Sequence, residues 1–390
     1  MNVGIDLLSF NTSNYYLDLQ TLAEKRGVEY SKYAVGIGQE KMAIPPPDED
    51  IVTMAATAAL PVVEQTDRSK IELLLFATES GIDQSKAAGI FAHKLLGLSP
   101  RCRSVELKEA CYSGTAALQL AASHVARHPD SKALILASDV ARYELGSPGE
   151  PTQGCGAVAM LVSTHPRLLS LDNENGMYTE DVMDFWRPNY RDQAFVDGKY
   201  STRVYMHALE ECWKQYHALT QRNLGDFARF CYHLPFTRMA EKAHARLGKV
   251  ASAMALTDEQ INQQIGDTLH YNRITGNSYA ASLYVGLTSL LDNAVDDLSG
   301  KRIGLYSYGS GCVGEFFSGV IQKNYRQHLF TARHKALLEG RTELTYQQYE
   351  DIYNLAFPTD GGDHRFAQYR TGPFRLAGVS EHKRLYEVAS

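Results

Sequence analysis

Two stretches of this chain run through the same order of elements, and that repetition restricts the fold more than any other feature. Residues 112–125 (YSGTAALQLAASHV) form a helical pattern rich in small side chains, followed by apolar strand patterns at 132–137 and 156–162. Residues 277–292 (NSYAASLYVGLTSLLD) repeat the small-residue helix, and 302–306 and 314–321 repeat the two strands, joined by a Gly-rich turn. Neither helix carries a charged face before its end, so both are expected to be buried. Ile71–Ala77 (IELLLFA) and residues 102–106 and 227–232 add further strand candidates. Short apolar runs alternating with helical periodicity indicate an α/β fold. At 390 residues the chain exceeds the size at which one core usually stops growing. An internal duplication follows, its halves meeting around 165–200, with the active site where the starts of the two small-residue helices converge. Chance recurrence of a common α/β pattern would give the same order, so the repetition alone leaves both readings open. Residues 45–50 (PPPDED) read as an exposed turn.

Charge removes whole classes of function. The net charge of −6 offers no basic field for nucleic acid or an anionic membrane, so a phosphate-bearing ligand needs a local Lys/Arg cluster. The amino terminus lacks a basic segment followed by an apolar run, and no stretch reaches the roughly 18 apolar residues that span a bilayer. A cytoplasmic protein is expected. Cysteines stand at 102, 111, 155, 212, 231 and 312, with no C-x-x-C pair and no His cluster at zinc spacing. Neither a metal site nor a disulfide framework is expected.

Three residues stand where chemistry can be done. Cys111 lies between a strand pattern and a helix pattern, and a thiol at a helix start meets free N–H groups and the positive end of the dipole. Both would lower its pKa and favour the nucleophilic thiolate; a buried structural cysteine fits the position equally. Glu79 ends the strand IELLLFATE before a Gly-containing loop, a position for a general base with a pKa raised by apolar surroundings, or for a carboxylate facing water. His233 precedes Leu234-Pro235, and the proline stops the strand, placing the imidazole on a loop at the sheet edge. Gly309-Ser-Gly-Cys-Val-Gly314 matches the dinucleotide fingerprint but is followed by a strand pattern instead of a helix. A tight turn between strands, its N–H groups facing a ligand oxygen, fits better. Arg238 and Lys242 share a helical face just beyond His233, as a phosphate clamp or a solvated surface.

Taken in order, VGIGQEKMA (35–43), ATESGID (77–83), KEACYSGTAALQLA (108–121), ASDVARY (137–143), GEPTQGCGAVAM (149–160), EDVMDFWRP (180–188), VDGKYS (196–201), YHLPFTRM (232–239), TGNSYAASLY (275–284) and SYGSGCVGEF (307–316) resemble the 3-hydroxy-3-methylglutaryl-CoA synthases of the thiolase superfamily. The resemblance runs over nearly the whole chain. It implies a thiolase-like fold of two βαβαβαββ halves, residues 1–165 and 166–390, in five layers αβαβα. It also implies a mechanism. Cys111 takes acetyl from acetyl-CoA, Glu79 removes a proton from the acetyl methyl, and His233 positions and polarises acetoacetyl-CoA. Hydrolysis then frees the product. The backbone N–H groups of Cys111 and Ser310 would serve the oxyanion. Asn277 would mirror Cys111 across the duplication and bind substrate, with Asp139, Tyr143, Thr152 and Asp184 as further substrate-site residues. Arg238, where many members have lysine, and Lys242 would flank the coenzyme A tail. No cofactor beyond the CoA thioesters is implied, and a homodimer is. The alternative within the resemblance is a polyketide β-branching enzyme whose acceptor rides on an acyl carrier protein.

Overall fold

Strands that are apolar on both faces must be covered on both faces, and this requirement organises the molecule. The computed structural model describes residues 2–191, 193–252 and 255–389. Its main sheet contains β1 (Gly4–Asn11), β2 (Ile71–Ala77), β3 (Arg103–Leu107), β4 (Lys132–Ala141), β5 (Gly154–Ser163), β6 (Leu169–Leu171), β7 (Gly176–Thr179), β8 (Arg229–Tyr232), β9 (Arg302–Gly309) and β10 (Val313–Ile321). The order across it is β8-β9-β10-β6-β1-β5-β4-β2-β3, with β7 paired to β10.

The two sides of this sheet repeat each other. β2 and β4 are parallel, β4 and β5 antiparallel, and β5 and β1 antiparallel. On the other side β8 and β9 are parallel, β9 and β10 antiparallel, and β10 and β6 antiparallel. β1 and β6 join the sides through Gly4↔Ser170 and Ile5↔Leu169. Among the described residues β3 has no counterpart in the main sheet, and β7 continues the place of β6 along β10.

Alternation along each strand then sorts the layers. Leu73, Leu75 and Ala77 of β2 face a cluster that holds α3 (Ser113–Arg127) and α7 (Ser282–Asn293). Leu74 and Phe76 face the opposite cluster, built on α1 (Ile51–Glu64) and α2 (Ala88–Leu95). In β9, Ile303 and Leu305 face α3 and α7, while Tyr306 and Tyr308 face α4 (Gly198–Thr220), α5 (Thr237–Ser252) and α6 (Asp258–Ile265). The result is helix, sheet, helix, sheet, helix, with the small-residue helices as the central layer. A Cβ on Gly114 would lie 2.5 Å from the Ala280 carbonyl oxygen, so the two helix starts approach backbone to backbone.

Residues 45–50 differ from expectation. They form a loop, but a buried one, with Asp48 fully inaccessible. The C-terminal hairpin (Phe374–Ser380, Lys383–Val388) accounts for this. Leu376 N–H donates to the Asp48 carbonyl at 2.8 Å, and Arg375 Nε to its carboxylate at 3.2 Å. Asp50 caps α1 through the N–H groups of Val52 and Thr53, worth about 1 kcal/mol, and accepts from the Tyr386 hydroxyl. An acidic run with no evident partner nearby in sequence looks solvated. Here its partners come from the far end of the chain.

Candidate active site

Cys111 stands two residues before α3, and Glu79 two residues beyond β2 on the neighbouring strand end. The parallel pairing of β2 with β3 and β4 brings these ends together. The Cys111 thiol donates to Glu79 Oε1 at 3.1 Å, and both residues are half-buried. Burial, with Asp139 nearby, raises the Glu79 pKa as expected from its surroundings. The thiol departs from expectation. Burial and the charges of Glu79, Asp139 and Asp184 push its pKa well above the usual value, so the resting group is a neutral thiol.

Asp139, fully buried at the end of β4, does not offer its carboxylate to the cleft. Oδ1 accepts from the Thr78 hydroxyl at 2.7 Å and from the N–H groups of Glu79 and Ser80, both at 2.9 Å. Oδ2 accepts from Ala280 N–H at 2.9 Å. It therefore clamps the Glu79 loop to the turn that precedes α7. Asp184 does the same for the Gly-rich turn. It is fully buried and accepts from Gly311 N–H at 3.0 Å, the Tyr308 hydroxyl at 2.8 Å and the Ser201 hydroxyl at 2.9 Å. Both aspartates were expected among the substrate-site residues, and in the structure their carboxylates accept from protein donors. A buried carboxylate needs donors, which are mainly N–H groups for Asp139 and one N–H with two hydroxyls for Asp184.

The turn itself connects β9 to β10, as the strand pattern after it required. Ser310 lies near its apex, half-buried. A Cβ on Gly309 would fall 2.8 Å from Tyr112 N and 2.6 Å from the Glu109 carbonyl oxygen, so the turn lies against the backbone that carries Cys111.

Tyr143 packs with Ala141 and Tyr279 in a small apolar group that Cys111 and Phe185 adjoin. The Phe185 ring lies 6.4 Å from Tyr143 and 5.9 Å from Tyr279. Tyr143 N–H donates to Gln153 Oε1 at 2.8 Å. Thr152 caps its own turn, its hydroxyl donating to the Gly149 carbonyl at 2.7 Å, and its carbonyl accepts Asn277 N–H at 3.2 Å. Asn277 Oδ1 accepts from Tyr279 N–H at 2.8 Å. Asn277 does not mirror Cys111. The non-glycine residues Ala110 and Tyr279 both have φ 42°, each three residues before its helix begins. The position matching Cys111 is therefore Ala280.

His233 follows β8 and is buried on the far side of the 277–282 turn. Its N–H donates to the Tyr306 carbonyl at 2.8 Å, and its carbonyl accepts from the Tyr205 hydroxyl at 3.1 Å. The ring Nδ1 lies 2.8 Å from Ser282 Oγ. Burial lowers the imidazole pKa to about 3, so the ring is neutral.

Arg238 and Lys242 are not part of this cluster. They line a separate cleft of about 620 Å³ between α5, α6 and residues 266–273, together with Asn262, His270 and Arg273. Arg238 is exposed and pairs with Glu241. Sequence reasoning passed over three residues that the structure brings in. Arg187 donates to the Glu79 carbonyl, Tyr279 packs in the apolar group that Cys111 adjoins, and Ser282 meets His233. The last two stood in the NSYAAS run as polar groups opening an otherwise apolar helix, which was the available signal. Among the described residues no group of three His, Cys, Asp or Glu side chains is placed to hold a metal ion, and no helix is long and apolar enough to cross a membrane.

With this geometry in place, the comparisons with known proteins are specific. Residues 1–166 match the family model for the hydroxymethylglutaryl-coenzyme A synthase N terminal region, and residues 169–250 and 249–358 match that for its C terminal region. A hydroxymethylglutaryl-CoA synthase of Enterococcus faecalis is 45% identical over 92% of this chain and 94% of its own length. The polyketide biosynthesis 3-hydroxy-3-methylglutaryl-ACP synthase PksG of Bacillus subtilis (strain 168) is 33% identical over 90% of this chain and 88% of its own. A crystal structure of an HMG-CoA synthase complexed with CoA superposes with a TM-score of 0.95 at 41% identity, covering 100% of both chains.

Proposed function

Because the chain belongs to the hydroxymethylglutaryl-CoA synthase family, we propose that its Cys111–Glu79 pair carries that family's chemistry. The enzyme condenses acetyl-CoA with acetoacetyl-CoA and water to give 3-hydroxy-3-methylglutaryl-CoA and CoA. The observation that carries the assignment of residues is the 3.1 Å contact from the thiol to the Glu79 carboxylate.

The thiol proton passes to Glu79 as sulfur attacks the acetyl carbonyl, and CoA leaves with that proton as its thiol. Glu79, ionised again, takes a proton from the acetyl methyl of the new thioester. The resulting carbanion attacks C3 of acetoacetyl-CoA, whose carbonyl oxygen accepts a hydrogen bond from neutral His233. The oxygen takes up the proton that Glu79 removed from the methyl, which gives the 3-hydroxyl and returns Glu79 to its carboxylate form. Water then cleaves the Cys111 thioester, and the thiol is restored. The oxyanions are served by the backbone N–H groups of Cys111 and Ser310, a reading supported by the close apposition of residues 309 and 112. Asn277 spends its oxygen on Tyr279, which orients its NH₂ group as the donor toward substrate. Tyr143, Thr152, Phe185 and Tyr279 shape the acyl pocket, and Asp139 and Asp184 hold it. The cleft of Arg238, Lys242 and Arg273, which also holds Glu241, Asp258 and Asp267, takes the CoA phosphates on its basic side chains.

The recurring strand order supports reading residues 1–165 and 166–390 as the two halves. The acceptor rides on CoA rather than on a carrier protein, as the greater similarity to the CoA-named relative favours. Labelled acetyl-CoA should leave its label on Cys111. Glu79→Gln, without the group that takes the thiol proton, should acetylate more slowly and not condense. Absence of acetyl-cysteine in the native enzyme, or condensation by the variant, would remove the assignment.

A further inference from the structure

The His233 imidazole has two nitrogens, and only one arrangement of its hydrogen suits a donor to substrate. Ser282 decides between them. Its Oγ, fully buried, accepts from Leu234 N–H at 3.1 Å and lies 2.8 Å from His233 Nδ1. The hydroxyl has one hydrogen to give. Among the described residues no other acceptor lies within bonding geometry of it, so that hydrogen goes to Nδ1. Nδ1 then acts as acceptor, and the ring hydrogen sits on Nε2. We propose that Ser282 is a positioning residue that fixes His233 as the Nε2–H tautomer, aimed at the acceptor carbonyl.

Besides accepting from Leu234 N–H, the hydroxyl has His233 as its one further partner among the described residues. Ser282 is the first residue of α7, and its backbone carbonyl is taken by Asn272 Nδ2 at 3.2 Å. His233 is itself held at both backbone groups, by Tyr306 and Tyr205, which fixes the main chain from which the ring extends. Ser282 also sits two residues after Ala280, whose N–H is clamped by Asp139. The same short turn thus fixes the base loop on one side and the imidazole on the other. Ser282 is inaccessible and touches no substrate; it acts through the histidine.

This inference rests on the role given to His233, and the experiment separates the two. In protein carrying ¹⁵N-histidine, two-bond nitrogen–proton correlations should show His233 protonated at Nε2 and bare at Nδ1. A protonated Nδ1 in the native enzyme overturns the proposal, whatever the variants do. Ser282→Ala should acetylate Cys111 at the native rate but lose about tenfold or more in condensation kcat. The KM for acetyl-CoA should be unchanged, and Ser282→Thr should restore the rate. If Ser282→Ala condenses normally while His233→Ala does not, the serine's role fails alone. If His233→Ala also condenses normally, the role of the histidine fails with it.

Discussion

Burial, with the negative charges of Glu79, Asp139 and Asp184 around it, disfavours the Cys111 thiolate more than a helix start can offset. A helix dipole contributes about 0.3–1 kcal/mol, whereas burial and charged neighbours move a pKa by about 1–3 units or more, roughly 1.4–4 kcal/mol. Burial and the carboxylates win, and the proton stays on sulfur until substrate arrives. Alkylation of Cys111 by iodoacetamide should therefore need a higher pH than an ordinary thiol does. Glu79→Gln removes the largest of those charges, so the midpoint of the alkylation profile should fall by about one unit or more. A midpoint that stays or rises would show that Glu79 does not hold the thiol protonated. The nucleophile and base were legible from their places at a helix start and a strand end. The sign of the thiol's shift was not, because Asp139 and Asp184 reach Cys111 only through the fold.

At the scale of elements, the two small-residue helices were readable because neither has a polar face to give to water. Their mutual approach is set by Gly114, where any side chain meets the Ala280 carbonyl. Alanine normally improves a helix over glycine by about 1 kcal/mol; here it must push the helices apart. Gly114→Ala should cost about 1–3 kcal/mol in chemical denaturation and slow condensation with it. Gly225→Ala, with open space around the missing Cβ, serves as the control and should be near neutral. A Gly114→Ala protein as stable as the native one would mean the contact yields freely. The resemblance set Asn277 opposite Cys111, each at the start of a small-residue helix, whereas the left-handed residues Ala110 and Tyr279 bring Ala280 into that register. Backbone handedness at a non-glycine residue leaves no mark in sequence.

For the molecule as a whole, the resemblance implied the five layers, and the strand order repeats across the main sheet as the recurrence of elements suggested, β3 apart. β3 has no counterpart and forms an open edge of the main sheet, with Val105 of β3 44% exposed and Leu120 of α3 51% exposed. An unpaired strand edge invites pairing with another chain. A homodimer formed there should appear in light scattering at twice the chain mass, and a monomer at working concentration would contradict it. The buried 45–50 loop stayed hidden from sequence because its partners lie more than three hundred residues away. The match of Cys111 with Ala280 has a further consequence. Two identical halves would carry two thiols, each facing the other's helix, and two half-equipped centres. Here one copy keeps the sulfur, and the other has a methyl group in its place, its turn serving instead as a brace for the first. The molecule is asymmetric in labour while symmetric in frame, so each chain runs one reaction at a time, with parts drawn from both its halves.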